Sequence, residues 1–114
     1  QRCNSSGKTA AYHGEPCIAD EYGGVKYIQE GRRPYAENSW GYGTEPLTAG
    51  EAEARIAALT GCLVRHPKVA GYCYTQLTDI EQEQNGIYNY DRTPKFDEET
   101  IHAIFSMKPS WSKY

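Results

Sequence analysis

Pro16-Cys17-Ile18-Ala19-Asp20-Glu21-Tyr22-Gly23-Gly24 sets an apolar run, Pro16 to Ala19, directly against two acids, a tyrosine and two glycines. A short apolar stretch bounded in this way is the pattern of a buried strand that stops at polar residues and then turns. The next periodic segment lies some way downstream. Thr48 and Glu51 have the spacing of a capping box, and Ala52, Ile56, Leu59 and Leu63 follow at helical intervals. Arg65, His66 and Pro67 supply a basic last turn and a stop, which predicts a helix over about 49–65. Val69 to Leu77, VAGYCYTQL, is apolar, aromatic and β-branched enough for a second strand, buried on both faces. Strand, helix, strand is a βαβ unit with parallel strands and a right-handed crossover, so the fold class is α/β. Both strands then end on the same side. That brings Glu21 together with Gln76 and Asp79, at the end where parallel-sheet enzymes build their sites.

The intervening segments carry less order. Residues 1–15 read as an irregular lead-in without the apolar core of a signal peptide. Val25 to Pro46 is a long loop rich in Gly, Tyr and charge that includes Trp40-Gly41-Tyr42-Gly43, and Thr78 to Lys95 is a polar loop. Asp97 can cap a last helix in which Ile101, Ile104 and Phe105 form the apolar stripe, with Pro109 marking the end. Two strands are too few for a parallel sheet, which needs cover on both faces. Connections this long usually belong to a larger scaffold. Residues 1–114 are therefore expected to be one portion of a longer catalytic domain whose other strands lie upstream. A chain of this length standing alone should expose an apolar edge and self-associate.

Composition narrows the function classes. Twelve Lys and Arg face 15 Asp and Glu, a net charge of -3, and the basic residues are scattered, which argues against nucleic acid and anionic membranes as partners. No run approaches the roughly 18 apolar residues of a transmembrane helix. Cys3, Cys17, Cys62 and Cys73 are widely spaced, without CxxC pairs, and read as buried reduced thiols, with a disulfide as the alternative. His13, His66 and His102 lack metal-ligand spacing, so neither metal nor cofactor is expected. The ten tyrosines offer flat apolar surface with a polar tip, suited to a polyhydroxylated ligand.

Glu21 is the residue that carries chemistry. A carboxylate at the carboxyl end of a strand, followed by glycines that let the backbone turn, is placed for attack on a sugar's anomeric carbon. Taken alone, the same pattern fits a solvated loop acid or an ion-pair partner. Its surroundings add to it. PCIADEYGG over residues 16–24 resembles the nucleophile strand of glycoside hydrolase family 2. GYCYTQLTD over 71–79, followed by EQEQNG and DRTPK, resembles the eighth strand and closing segment of β-galactosidase-like and β-glucuronidase-like members. The WGYG element lies between them, and the resemblance spans roughly residues 14–105 in the family's order.

The resemblance implies the carboxy-terminal part of a (β/α)8 barrel and a retaining hydrolysis of β-linked galactosides, glucuronides or related carbohydrates. It implies Glu21 as the nucleophile that forms a covalent glycosyl-enzyme. Tyr22 would pack or hydrogen-bond at the sugar ring, and Tyr74 falls where many members place the aromatic floor of the sugar subsite. Asn85, before Gly86, matches an Asn that helps bind the sugar or a nearby ion. Gln76 and Asp79 could bond sugar hydroxyls, Glu81 and Glu83 either do the same or form a solvated loop face, and Trp40 either stacks on the sugar or anchors its loop. Arg92 and Lys95 are expected to pair with acids at the barrel mouth. The family's acid/base Glu follows Asn on an earlier strand, and no Asn-Glu pair occurs here. Asp20 cannot replace it if strand alternation sends it to the face opposite Glu21. The isolated chain is then expected to be inactive. Two rival expectations remain: a carbohydrate-binding homologue without turnover, and an inert structural fragment whose Glu21 is buried against a cation.

Overall fold

The structure is a computed structural model that describes residues 11–32, 38–46, 48–109 and 112. Its elements run β1 (Cys17–Gly23), α1 (Ala49–Arg65), β2 (Val69–Thr75) and α2 (Glu98–Phe105). β1 and β2 pair in parallel, with Cys17 opposite Val69, Ala19 opposite Tyr72, and Gly23 opposite Thr75. This is a small α/β unit built on the βαβ connection that the sequence predicts.

α1 has the bounds expected of it. The Thr48 side chain accepts a hydrogen bond from the Glu51 backbone N–H at 3.1 Å, satisfying a donor that the first turn leaves over. Its buried face differs from the expected stripe. Ala52, Ile56, Thr60 and Gly61 are buried, whereas Leu59 is exposed and Leu63 only half-buried. The hydroxyl of Tyr22 decides this, because it meets Thr60 Oγ1 at 2.8 Å and seats a polar side chain in the strand–helix interface. α2 begins as predicted, with the Asp97 carboxylate accepting from the Thr100 N–H at 2.8 Å, and ends at Phe105.

β1 is longer than its apolar run, continuing through Asp20, Glu21 and Tyr22 to Gly23. Between Ala19 and Tyr22 it carries one residue more than β2, so Asp20 and Glu21 sit at a bulge. β2 stops at Thr75, two residues earlier than expected. Gln76 and Leu77 instead receive the backbone N–H groups of Ile87 and Tyr88 at 3.0 and 2.9 Å. The peptide between Thr75 and Gln76 is cis.

The core consists of Val25, Ala52, Ile56, Ile87, Phe96 and Ile104. Three of these six, Val25, Ile87 and Phe96, come from segments outside the helices and strands. The stretches on either side of α1 and β2 are therefore packed parts of the fold and not solvated loops. β2 is not buried on both faces. Cys73 is exposed, as are Cys17 and Ile18 on β1, because the two helices cover only one side of a two-stranded sheet. Cys17, Cys62 and Cys73 are exposed free thiols, contrary to the expectation of burial, and Cys3 lies outside the described residues.

Candidate functional site

The carboxyl ends of the two strands are joined by the Gly24 N–H, which donates to the Thr75 carbonyl at 2.8 Å. Gly23 and Gly24 both have positive φ, +98° and +61°, and the chain turns sharply there. Neither tolerates a side chain. A Cβ on Gly23 would strike the Tyr74 ring, and one on Gly24 would strike the Tyr42 ring. The turn delivers Tyr42 to the strand end, where its N–H donates to the Gly24 carbonyl at 2.6 Å.

Glu21 is exposed and lines an open cleft of about 930 Å³ together with Asp20, Tyr42, Arg55, Leu59 and His66. Its Oε1 accepts a hydrogen bond from the Tyr42 hydroxyl at 3.2 Å. That bond, and the carboxylate charge behind it, raise the Tyr42 hydroxyl's pKa above the usual phenol value, with burial and the charge of Glu83 adding to the effect. Among the described residues Glu21 forms no ion pair. Asp20 borders the same cleft. The bulge interrupts the two-residue alternation that would have turned it to the opposite face.

Trp40 stands beside Tyr42, with ring centroids 5.7 Å apart and planes inclined at 68°. Its backbone N–H donates to the Gln82 carbonyl at 2.9 Å, and its backbone pairs in parallel with that of Glu83, which ties the WGYG segment to the chain after β2. Trp40 is 38% exposed.

Gln76 and Asn85 are brought together. Gln76 Nε2 donates to Asn85 Oδ1 at 2.7 Å and approaches Glu83 Oε2 at 3.4 Å. Asn85 is 1% exposed, and its Nδ2 has no hydrogen-bond partner among the described residues.

Other expected site residues serve the fold. Tyr22 is buried, with its hydroxyl on Thr60 and its ring edge-on to Tyr72 and Tyr74, each 5.4 Å away; burial pushes its pKa up to about 12. Tyr74 packs between Tyr22 and Phe105, in the layer between strands and helices, and burial raises its pKa further. Tyr22 nevertheless borders the cleft that Glu21 lines, whereas Tyr74 does not. Asp79 is 5% exposed and holds Lys95 Nζ at 2.5 Å and the Gly86 N–H at 2.8 Å through Oδ1. Lys95 thus makes the acid pairing expected of it, and desolvation lowers its pKa against the pull of Asp79. Arg92 does not. It is exposed in a turn at φ +66°, while Arg32 bonds Asp91 from a distant part of the chain at 2.9 Å.

Tyr42 is the residue that sequence reasoning passed over. It lies inside the quoted WGYG element, two residues from Trp40 and flanked by glycines that allow close approach, and that flanking was the available signal. No group of three or more His, Cys, Asp or Glu side chains able to hold a metal occurs among the described residues. No protein-family model and no curated protein matches the chain.

Proposed function

We propose that this chain is the nucleophile-bearing, carboxy-terminal part of the (β/α)8 barrel of a retaining β-glycosidase resembling glycoside hydrolase family 2. The observation that carries the proposal is the exposed Glu21 carboxylate at the carboxyl end of β1, on an open cleft, with the Tyr42 hydroxyl bonded to Oε1. A single donated hydrogen bond orients one oxygen and leaves the other free to attack. The inert-fragment alternative calls for a buried Glu21 against a cation, and neither feature accompanies it among the described residues. The barrel is favoured by the parallel βαβ unit and by the uncovered face that carries Ile18, which further strands would cover. In this proposal part of the cleft beside β1 is the place of a neighbouring strand.

The chemistry is double displacement. Glu21 forms a glycosyl ester as the leaving oxygen is protonated by a carboxylic acid about 5–5.5 Å away, and water then cleaves the ester. That acid belongs to an upstream strand in this proposal. Treating the full parent chain with a 2-fluoro-glycoside and mapping the adduct by mass spectrometry tests the assignment. The label is expected on Glu21, and Glu21→Gln should lower kcat by on the order of 10⁴-fold or more with the fold unchanged by circular dichroism. An active enzyme labelled at any other residue would overturn it.

A further inference from the structure

The Tyr42 hydroxyl and the Glu21 carboxylate are both exposed, and a hydrogen bond between exposed groups competes with water. How fully it forms depends on how firmly the backbone carrying the hydroxyl is held. One side chain grips that backbone on both sides of Tyr42. Lys26 stands two residues beyond Gly24, and its Nζ donates to the Ser39 carbonyl at 3.0 Å and pairs with Glu45 Oε2 at 3.1 Å. Its side chain is 17% exposed, so most of the lysine is covered. Between the two anchors the segment lies directly on it: a Cβ on Gly41 would strike Lys26 Cβ, the Lys26 backbone nitrogen and the Gly24 carbonyl. Other bonds hold one flank each. Ser39 Oγ donates to Gln84 Oε1 at 2.7 Å on the near side of Tyr42, and Arg55 bonds the Thr44 carbonyl on the far side.

We infer that Lys26 is a positioning residue of the Glu21 site, which keeps the Tyr42 hydroxyl on the carboxylate by tying down Ser39 and Glu45 on either side of it. The consequence for reaction rate rests on the assignment of Glu21 as nucleophile, whereas the consequence for Tyr42 does not.

Positioning and direct charge predict opposite signs for the loss of Lys26. Removing a nearby cation by itself makes a phenolate harder to form and raises a phenol's pKa. Losing the bond to Glu21 lowers it, because that bond holds the proton on Tyr42. The other charged groups around the hydroxyl are Glu21 and Glu83, with Asp20, Arg55 and His66 on the same cleft, and the lysine variants alter none of them.

The test uses the full parent chain and follows Tyr42 ionisation by nuclear magnetic resonance of ring-labelled tyrosine, the signal being assigned by its loss in Tyr42→Phe. Lys26→Met, shown folded by circular dichroism, should ionise at lower pH than wild type. Lys26→Arg, which keeps the charge and the donors, should titrate as wild type does. Lys26→Gln, uncharged and shorter by one bond, should act as Lys26→Met does and replaces it if the methionine variant does not fold. Arg32→Met, which breaks the pair with Asp91, should leave the Tyr42 midpoint in place. In parallel, the saturating rate of Glu21 labelling by a 2-fluoro-glycoside should fall about tenfold in Lys26→Met, the worth of one hydrogen bond, with the half-saturating concentration unchanged. Adding Lys26→Met to Tyr42→Phe should slow labelling no further. A Tyr42 midpoint that stays or rises in the folded lysine variant, or that falls equally in Arg32→Met, would overturn the inference, as would additive effects on labelling. A label on another residue would sink the Glu21 assignment, and the tyrosine titration would still decide the role of Lys26.

Discussion

Tyr42 and Glu21 each determine what the other can do. The hydroxyl holds one carboxylate oxygen in place, and the carboxylate in turn makes loss of the phenolic proton harder, because a phenolate would face a negative charge and give up its hydrogen bond. Glu21→Gln removes that charge, so the Tyr42 pKa should fall back towards the ordinary phenol value near 10. Ultraviolet phenolate titration of wild type and variant should therefore show one tyrosine ionising at lower pH in the variant. Superimposable curves would mean that the two groups are uncoupled in solution. The place of Glu21 near the carboxyl end of a strand was legible from the local pattern. Tyr42 was not, since its contact spans 21 positions and depends on how the WGYG segment folds back onto Gly24.

At the level of the element, the segment after β2 is the clearest departure from expectation. Its composition is polar, yet Asp79, Asn85, Asn89 and Lys95 are buried within it. The Asp79–Lys95 pair and the bond from Gly86 to Asp79 close the segment on itself, and Ile87 and Phe96 then enter the core. Removing one member of a buried ion pair leaves the other uncompensated and costs about 3–5 kcal/mol. Lys95→Met should lower stability by an amount of this order in urea unfolding. The double variant Lys95→Met, Asp79→Asn should be less destabilised than the sum of the single changes. Simple additivity would mean that the two charges do not support one another. Polar patterning could not announce such a segment, because a side chain buried in a pair and one solvated on the surface are the same letter in a sequence.

For the molecule as a whole, the uncovered sheet face governs behaviour. Ile18 on β1 is 62% exposed, and Cys73 on β2 is exposed as well. Apolar area left in water at a strand edge drives pairing with another copy. The 12.8 kDa chain, produced alone, should sediment as a dimer or larger species in analytical ultracentrifugation. Ile18→Lys should shift it towards monomer by placing a charge on the contact face. A wild-type chain that stays monomeric at tens of micromolar would argue that the face needs no cover.

The sequence by itself determined the order strand, helix, strand, helix, the caps Thr48 and Asp97, and the placement of Glu21 at a strand's carboxyl end. These follow from local periodicity and from side chains that bond to their own backbone neighbours. Tertiary structure alone decided that Asp20 shares a cleft with Glu21, that Tyr22 and Tyr74 pack between the layers, and that Asp79 is paired with Lys95. It also decided that the Tyr42 hydroxyl bonds Glu21 and that Gln76 bridges Glu83 and Asn85. The reason is physical. A bulge, a buried charge and a hydrogen bond between distant segments each depend on where another part of the chain comes to rest.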